Sequence, residues 1–376
     1  MLSNAAGAIT RGLSLLLTAT ACQTTPPAET ASVAPSATAP VVAGSILAAP
    51  ATTEAAPTAQ PPFGHVDRYD PALDAIVPSD WRIEKLAEGF QWSEGPVWIV
   101  SGSYLLFTDV PANAIHKWSE KTGAEVFLKP SGLENPDPKV TREAGINGIF
   151  PDRDGSLLAA DSGSRTVVRL DLATKKKTPL ATKYQGHRFN SPNDVCRNDG
   201  GVVFFTDPPY GLEGMNASKA KEMRVNGVYR VSTTGQVEVV DDQLSYPNGI
   251  GLSPDERTLY VANSDREQPI WMAYTVDAAG KVSNRRVFAD AKDLVNDAAP
   301  GAPDGLTVAA NGVVFATGPG GVLVMSPEGR RLGRISTGKP ISNCKFGDDG
   351  QSLYLTTHDT LARIRLNVRG QGFSPP

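Results

Sequence analysis

Cysteine is scarce in this chain, three in 376 residues, and none stands with a histidine in the pairing that marks a thiol nucleophile. A Gly-x-Ser-x-Gly elbow is missing as well, so covalent catalysis is disfavoured. Helix-length segments with periodic apolar residues are few, which argues against a helical domain. No stripe of Lys and Arg with interleaved aromatics occurs, and the formal net charge is −4, so nothing supports a nucleic-acid partner. Lys175-Lys176-Lys177 reads as a solvated hairpin tip.

Glycine and proline are abundant, 36 and 30 residues. With Asn and Asp they separate short strand-like runs, the pattern of an all-β domain. The length allows more than one domain, yet all-β domains of comparable size occur as single units.

The first 22 residues are of another kind. Arg11 precedes an apolar stretch, Gly12 to Ala21, that is too short to span a bilayer and ends at Cys22, which is the pattern of a secretory signal. Ala19-Thr20-Ala21-Cys22 is similar to a bacterial lipobox, so lipidation of Cys22 is expected to provide the only membrane contact. Export follows, either to the periplasm or as a membrane-anchored lipoprotein. Residues 23–62 are dominated by Ala, Thr and Pro and cannot bury enough surface to offset chain entropy, so a disordered or polyproline-like linker is expected there. The folded domain is expected over 63–376.

Within that domain one pattern recurs six times. The openers are Glu94-Gly95-Pro96, Asn147-Gly148, Pro192-Asn193-Asp194, Pro247-Asn248-Gly249, Pro303-Asp304-Gly305 and Ser342-Asn343. About 14 residues after each comes an apolar run ending in Thr108-Asp109, Ala160-Asp161, Thr206-Asp207, Ala262-Asn263, Ala316-Thr317 or Thr356-Thr357; strand-like repeats of roughly 40 to 56 residues indicate a β-propeller, here six-bladed. Asp154-Gly155, Asp199-Gly200, Asp255-Glu256, Asn311-Gly312 and Asp349-Gly350 fall midway and read as hairpin turns. Cys196 and Cys344 follow the third and sixth openers, which puts them in opposite blades, too far apart for a disulfide.

In a propeller the innermost strand of each blade lines a central channel. Its first residue faces the channel mouth, so Glu94, Asn147, Asn193, Asn248, Asp304 and Asn343 should form one ring. Asp109, Asp161, Asp207, Asn263, Thr317 and Thr357 should form a second ring around it. Two carboxylates crowded with carboxamides are costly without a partner, and a divalent cation resolves that cost. An all-oxygen donor set favours calcium, then magnesium or manganese, over zinc.

From about Phe63 to Gly370 the chain resembles the senescence-marker-protein, gluconolactonase and luciferin-regenerating-enzyme-like family, in its bacterial gluconolactonase branch. The resemblance rests on Glu94-Gly95-Pro96-Val97-Trp98, on Asn190 to Val195 leading to Phe205-Thr206-Asp207-Pro208-Pro209-Tyr210-Gly211, on the Pro-Asn-Gly and Pro-Asp-Gly openers, and on Asn343-Cys344-Lys345-Phe346-Gly347. It implies a six-bladed propeller with one divalent metal held by Glu94, Asn248 and Asp304, with Asn193 approaching it. It further implies Arg188 as a substrate contact and hydrolysis of a sugar-acid lactone, typically D-glucono-1,5-lactone to D-gluconate.

The expected chemistry is polarisation of the lactone carbonyl by the metal and activation of water by a general base. Following the family, Asp304 is the base; His358, after the last inner hairpin, is its rival because its ordinary pKa suits proton transfer. Arg188 offers a donor fork to lactone oxygens, Tyr210 a wall, and Asn147 and Asn343 substrate or outer contacts. Two other readings stay open: an arylesterase or organophosphate hydrolase on the same metal site, or a calcium-binding propeller without turnover.

Overall fold

The computed structural model describes residues 63–152 and 154–373. The expected signal, Cys22 and the 23–62 linker lie outside the described residues.

Six antiparallel sheets follow one another as the blades of a propeller. Blades 1 to 4 are four-stranded and cover residues 93–128, 146–181, 195–241 and 247–290; blade 5 is built on 306–336 and blade 6 on 343–365. Strands buried on both faces need continuous apolar runs rather than alternation, because successive side chains point to opposite neighbours. Phe204 and Phe205 illustrate the rule. Phe204 packs toward blade 4 with Ile250, Val261 and Met272, whereas Phe205 packs toward blade 2 with Leu158 and Val167. Tyr260 and Val261 divide in the same way between blades 5 and 3. Each of six apolar clusters bridges one pair of neighbouring blades, and the last joins Tyr354 and Leu361 of blade 6 to Leu105, Phe107 and Trp118 of blade 1.

The ring is closed from the N-terminal side. Ile83–Glu88 pairs with Thr360–Arg365 as the outer strand of blade 6, and His65–Arg68 adds a fifth strand to blade 5 against Arg331–Ser336. Closure is therefore by backbone hydrogen bonds, and Cys196 and Cys344 are free, buried thiols as their opposite placement requires. The Asp-Gly and Asn-Gly pairs at 154, 199, 311 and 349, with Asp255-Glu256, turn the first strand of a blade into the second as expected. Lys175 and Lys176 occupy a hairpin tip in blade 2, but Lys177 departs from the expectation: it opens the outer strand and pairs with Asp161 at 2.8 Å.

Candidate active site

A chain of hydroxyl groups sets the geometry of the channel mouth. Thr108 donates to the carbonyl of Asn147 at 2.9 Å, Ser162 to Pro192 at 2.6 Å and Thr206 to Asn248 at 2.7 Å. Ser264 donates to Pro303, Thr317 to Ser342 at 3.2 Å and Ser342 to Ser93 at 2.5 Å. Each bond runs from one blade to the opener of the next, so the circuit is complete. Thr and Ser residues at or just after the ends of the apolar runs, with Ser342 of the last opener, thus fasten the backbone of the ring, because a buried carbonyl must find a donor.

The glycines of the openers serve the same approach. A Cβ on Gly148 would strike the Asp194 carboxylate, one on Gly249 the carbonyl of Asp304, and one on Gly305 the side chain of Asn343. The expected second ring has a related role. Asp109 accepts from the amides of Gln91 and Trp92, Asp207 from those of Asn190 and Ser191, and Asn263 from that of Tyr246. Those residues shortly precede Glu94, Asn193 and Asn248, so the outer ring holds the entry to these three openers, while Asp161 bonds to Ser164 and Lys177 instead.

Glu94, Asn147, Asn193, Asn248 and Asn343 are all buried, with Asp304 half-buried beside them. Glu94 Oε2 accepts from the Gly95 amide at 3.0 Å and from Asn343 Nδ2 at 3.3 Å. Asn343 Oδ1 accepts from the Cys344 amide, which commits both ends of that side chain and makes it a support for Glu94. Asn248 is oriented by a short argument. Ser264 gives its proton to Pro303, so it must accept from Asn248 Nδ2 at 2.9 Å, and the Oδ1 atom is left uncommitted. The side-chain amides of Asn147 and Asn193 bond to no described residue.

Charge accumulates here. Desolvation raises the Glu94 pKa well above the carboxylate range, with the nearby Asp194 adding and the bonds from Gly95 and Asn343 opposing. Asp304 is raised by desolvation and then by the charges of Glu94, Asp194 and Glu143. Asp194 itself is spent on structure: Oδ1 accepts from Val195 and Oδ2 from Ile250 of the next blade, and the charge of Lys345 opposes the rise in its pKa that burial causes. Among the described residues no group of three or more His, Cys, Asp or Glu is arranged as a metal centre. Glu94 and Asp304 lie near enough to bear on one another's charge, and the amide oxygens of Asn193 and Asn248 accept from no described residue.

The walls come from loops. Tyr210 stacks on Tyr246 with ring centroids 5.9 Å apart and planes at 15°, and its hydroxyl lies beside Ser264 and Asp304. Trp92 stands across the mouth, close to the Glu94 carboxylate and edge-to-face with His358 at 5.5 Å. His358 is on the rim in a left-handed conformation, about half exposed, 3.7 Å from Asp359; its carbonyl receives the Ser93 amide and hydroxyl. Arg188 lies on a two-stranded hairpin, where its amide donates to Glu222 at 2.7 Å and its guanidinium faces the same carboxylate at 4.0 Å. The structure thus links Glu94 with Asn343 and Asp304, and Tyr210 and Asn248 with Ser264, leaves Asn147 and Asn193 as buried residues at neighbouring openers, packs His358 against Trp92, and engages Arg188 with Glu222. Sequence reasoning missed Trp92 and Glu143. Trp92 was within its reach, being two residues before Glu94; Glu143 carries no repeat signal.

Residues 92–359 match the SMP-30/Gluconolactonase/LRE-like region. The chain is 42% identical over 312 residues to a gluconolactonase of Zymomonas mobilis subsp. mobilis, spanning 82% of this chain and 88% of that one. It is 29% identical over 268 residues to a pentonolactonase of Haloferax volcanii, spanning 70% and 80%. A solved structure from Xanthomonas campestris, described as a gluconolactonase, superposes with a TM-score of 0.69 at 29% identity, covering 82% of this chain and 98% of that one.

Proposed function

The chain belongs to the SMP-30/gluconolactonase/LRE-like family, and we propose that it is a metal-dependent lactonase that hydrolyses a sugar-acid lactone, D-glucono-1,5-lactone being the foremost candidate. The observation that carries this reading is a pair of desolvated acids, Glu94 and Asp304, each within reach of the other's charge, with an Asn248 amide whose nitrogen is committed to Ser264 and whose oxygen is free. Relatives named as gluconolactonase and pentonolactonase support the substrate class.

Two desolvated acids facing uncommitted amide oxygens fit a hard divalent cation, calcium before magnesium, manganese or zinc. Glu94, Asp304, Asn193 and Asn248 would hold it, and when bound it supplies charge neutralisation and Lewis-acid polarisation of an ester carbonyl. The protein's own groups do the rest. Asp304 takes a proton from water as its oxygen attacks the carbonyl carbon, and the ring carbon–oxygen bond breaks. The same proton returns to the departing ring oxygen, so the product is the open hydroxy acid. Trp92 and Tyr210 flank this space and shield it from solvent, while Asn343 holds Glu94 in place.

The test is proton release from a panel of aldonolactones, aryl esters and phosphotriesters, after chelation and after return of each cation, with Asp304→Ala beside the wild type. Turnover of aldonolactones that requires the cation and falls at least a thousandfold in the variant is expected. Turnover confined to aryl esters or phosphotriesters, or cation binding with no turnover at all, would sink the reading. We place this activity outside the cytoplasm on the strength of the N-terminal pattern, with Cys22 as the lipid-bearing residue. An intact mass showing unmodified Cys22 in soluble protein would end the anchor proposal.

A further inference from the structure

We propose that Glu143, carried on a strap between blades 1 and 2, binds hydroxyl groups of the substrate and makes the site selective for polyhydroxylated lactones over apolar ones. This deepens the lactonase reading and rests on it.

The strap is built rather than loose. Asp137 accepts from the amides of Val140 and Thr141 at 2.9 and 2.8 Å. The chain then runs antiparallel to the loop that follows the second strand of blade 3. Thr141 bridges Leu212, Arg142 and Glu143 both donate to the Gly211 carbonyl at 2.9 and 3.4 Å, and Glu213 donates to Val140 at 2.9 Å. Tyr210 precedes Gly211, so this pairing sets Glu143 and Tyr210 side by side. The charge of Glu143 bears on both Tyr210 and Asp304, in keeping with that backbone pairing.

What singles out Glu143 is the state of that carboxylate. Its side chain is 17% exposed, and its ion-pair partner is Arg142, half exposed and 3.6 Å away. No described residue donates a hydrogen bond to it. Largely desolvated oxygens with free lone pairs favour a ligand rich in donors, and a polyol supplies them. Tyr210 stacked on Tyr246 gives an adjoining flat face for the C–H side of a sugar ring, with Trp92 across the mouth. Asp304 and Glu94 hold the reacting end, so Glu143 meets the hydroxylated remainder. A site that bonds a substrate hydroxyl discriminates strongly against an analogue lacking it.

The experiment compares D-glucono-1,5-lactone with unsubstituted δ-valerolactone for wild type, Glu143→Gln and Glu143→Asp. Burial pushes the Glu143 carboxyl up to about 7, so above that pH a charged hydrogen bond predicts that Glu143→Gln lowers the ratio of kcat/KM for the two lactones roughly tenfold to hundredfold, mainly through KM, with partial recovery in Glu143→Asp. Equal loss on both lactones, or no loss, overturns the proposal. If the wild type turns over no lactone, calorimetric titration with D-glucitol separates the two readings. Binding that is lost in Glu143→Gln keeps the recognition role while the lactonase reading falls, and unaltered binding or none overturns it.

Discussion

Asn343 donates its side-chain amide to Glu94 at 3.3 Å across the seam where blade 6 meets blade 1. The bond joins the final inner strand to the first, and it steadies one of the two acids at the channel mouth. Partners that orient a ligating carboxylate typically contribute tenfold to hundredfold in metal affinity. Asn343→Ala should therefore weaken calcium binding by about that factor in a calorimetric titration, while the folded domain survives. An unchanged affinity would show that Gly95 and Trp92 hold Glu94 without help from Asn343.

Ser264 fixes Asn248 in a comparable way. With the hydroxyl removed, the Pro303 carbonyl loses its donor and the Asn248 amide is free to turn. Ser264→Ala is expected to cost about 1–3 kcal/mol in urea unfolding and to weaken cation binding, and Ser264→Thr, which keeps the hydroxyl, should restore both. Loss of stability with undiminished cation affinity would mean that the orientation of Asn248 is set elsewhere.

The acids at the mouth predict a dependence on pH whose direction can be worked out. Glu94 and Asp304 hold protons more tightly in the folded chain than in the unfolded one, and Glu94 is raised to about 8. Between the ordinary carboxylate range and that value the folded state carries more protons, so the contribution is complete at low pH and is lost as pH rises. For the buried Glu94 the slope is about 1.4 kcal/mol per pH unit over that window, and Asp304 acts in the same direction. Chelated protein should therefore show a melting temperature that falls from about pH 5 to pH 8 on account of these acids. Excess calcium should remove the fall, because cation binding displaces the protons. A gap between calcium-loaded and chelated melts that does not widen with pH would contradict this account.

His358 faces Trp92 rather than the acid pair. If Asp304 takes the proton, His358→Ala should lose less than about tenfold in kcat on D-glucono-1,5-lactone. A much larger loss with cation affinity intact would exchange the two roles.

The legible parts of this protein are those that repeat. Six openers with matching closing runs give the six blades, and apolar pairs such as Phe204-Phe205 announce strands buried on both faces. The departures from repetition, Glu94 and Asp304, point to the charged residues at the channel mouth. Arg188, named through the family resemblance, has a partner that the resemblance does not announce: Glu222, 34 residues further on, with which it is engaged.

By itself, then, the sequence determined the architecture and the inner ring, because strand periodicity and turn chemistry are local and are written anew in each blade. Only the tertiary structure decided which hydroxyl meets which carbonyl, that Asn343 supports Glu94 across the closing seam, and that a strap from blades 1 and 2 sets Glu143 beside Tyr210. Those contacts join residues far apart in the chain. Ring closure and the paths of single loops fix them, and neither leaves a period in the sequence.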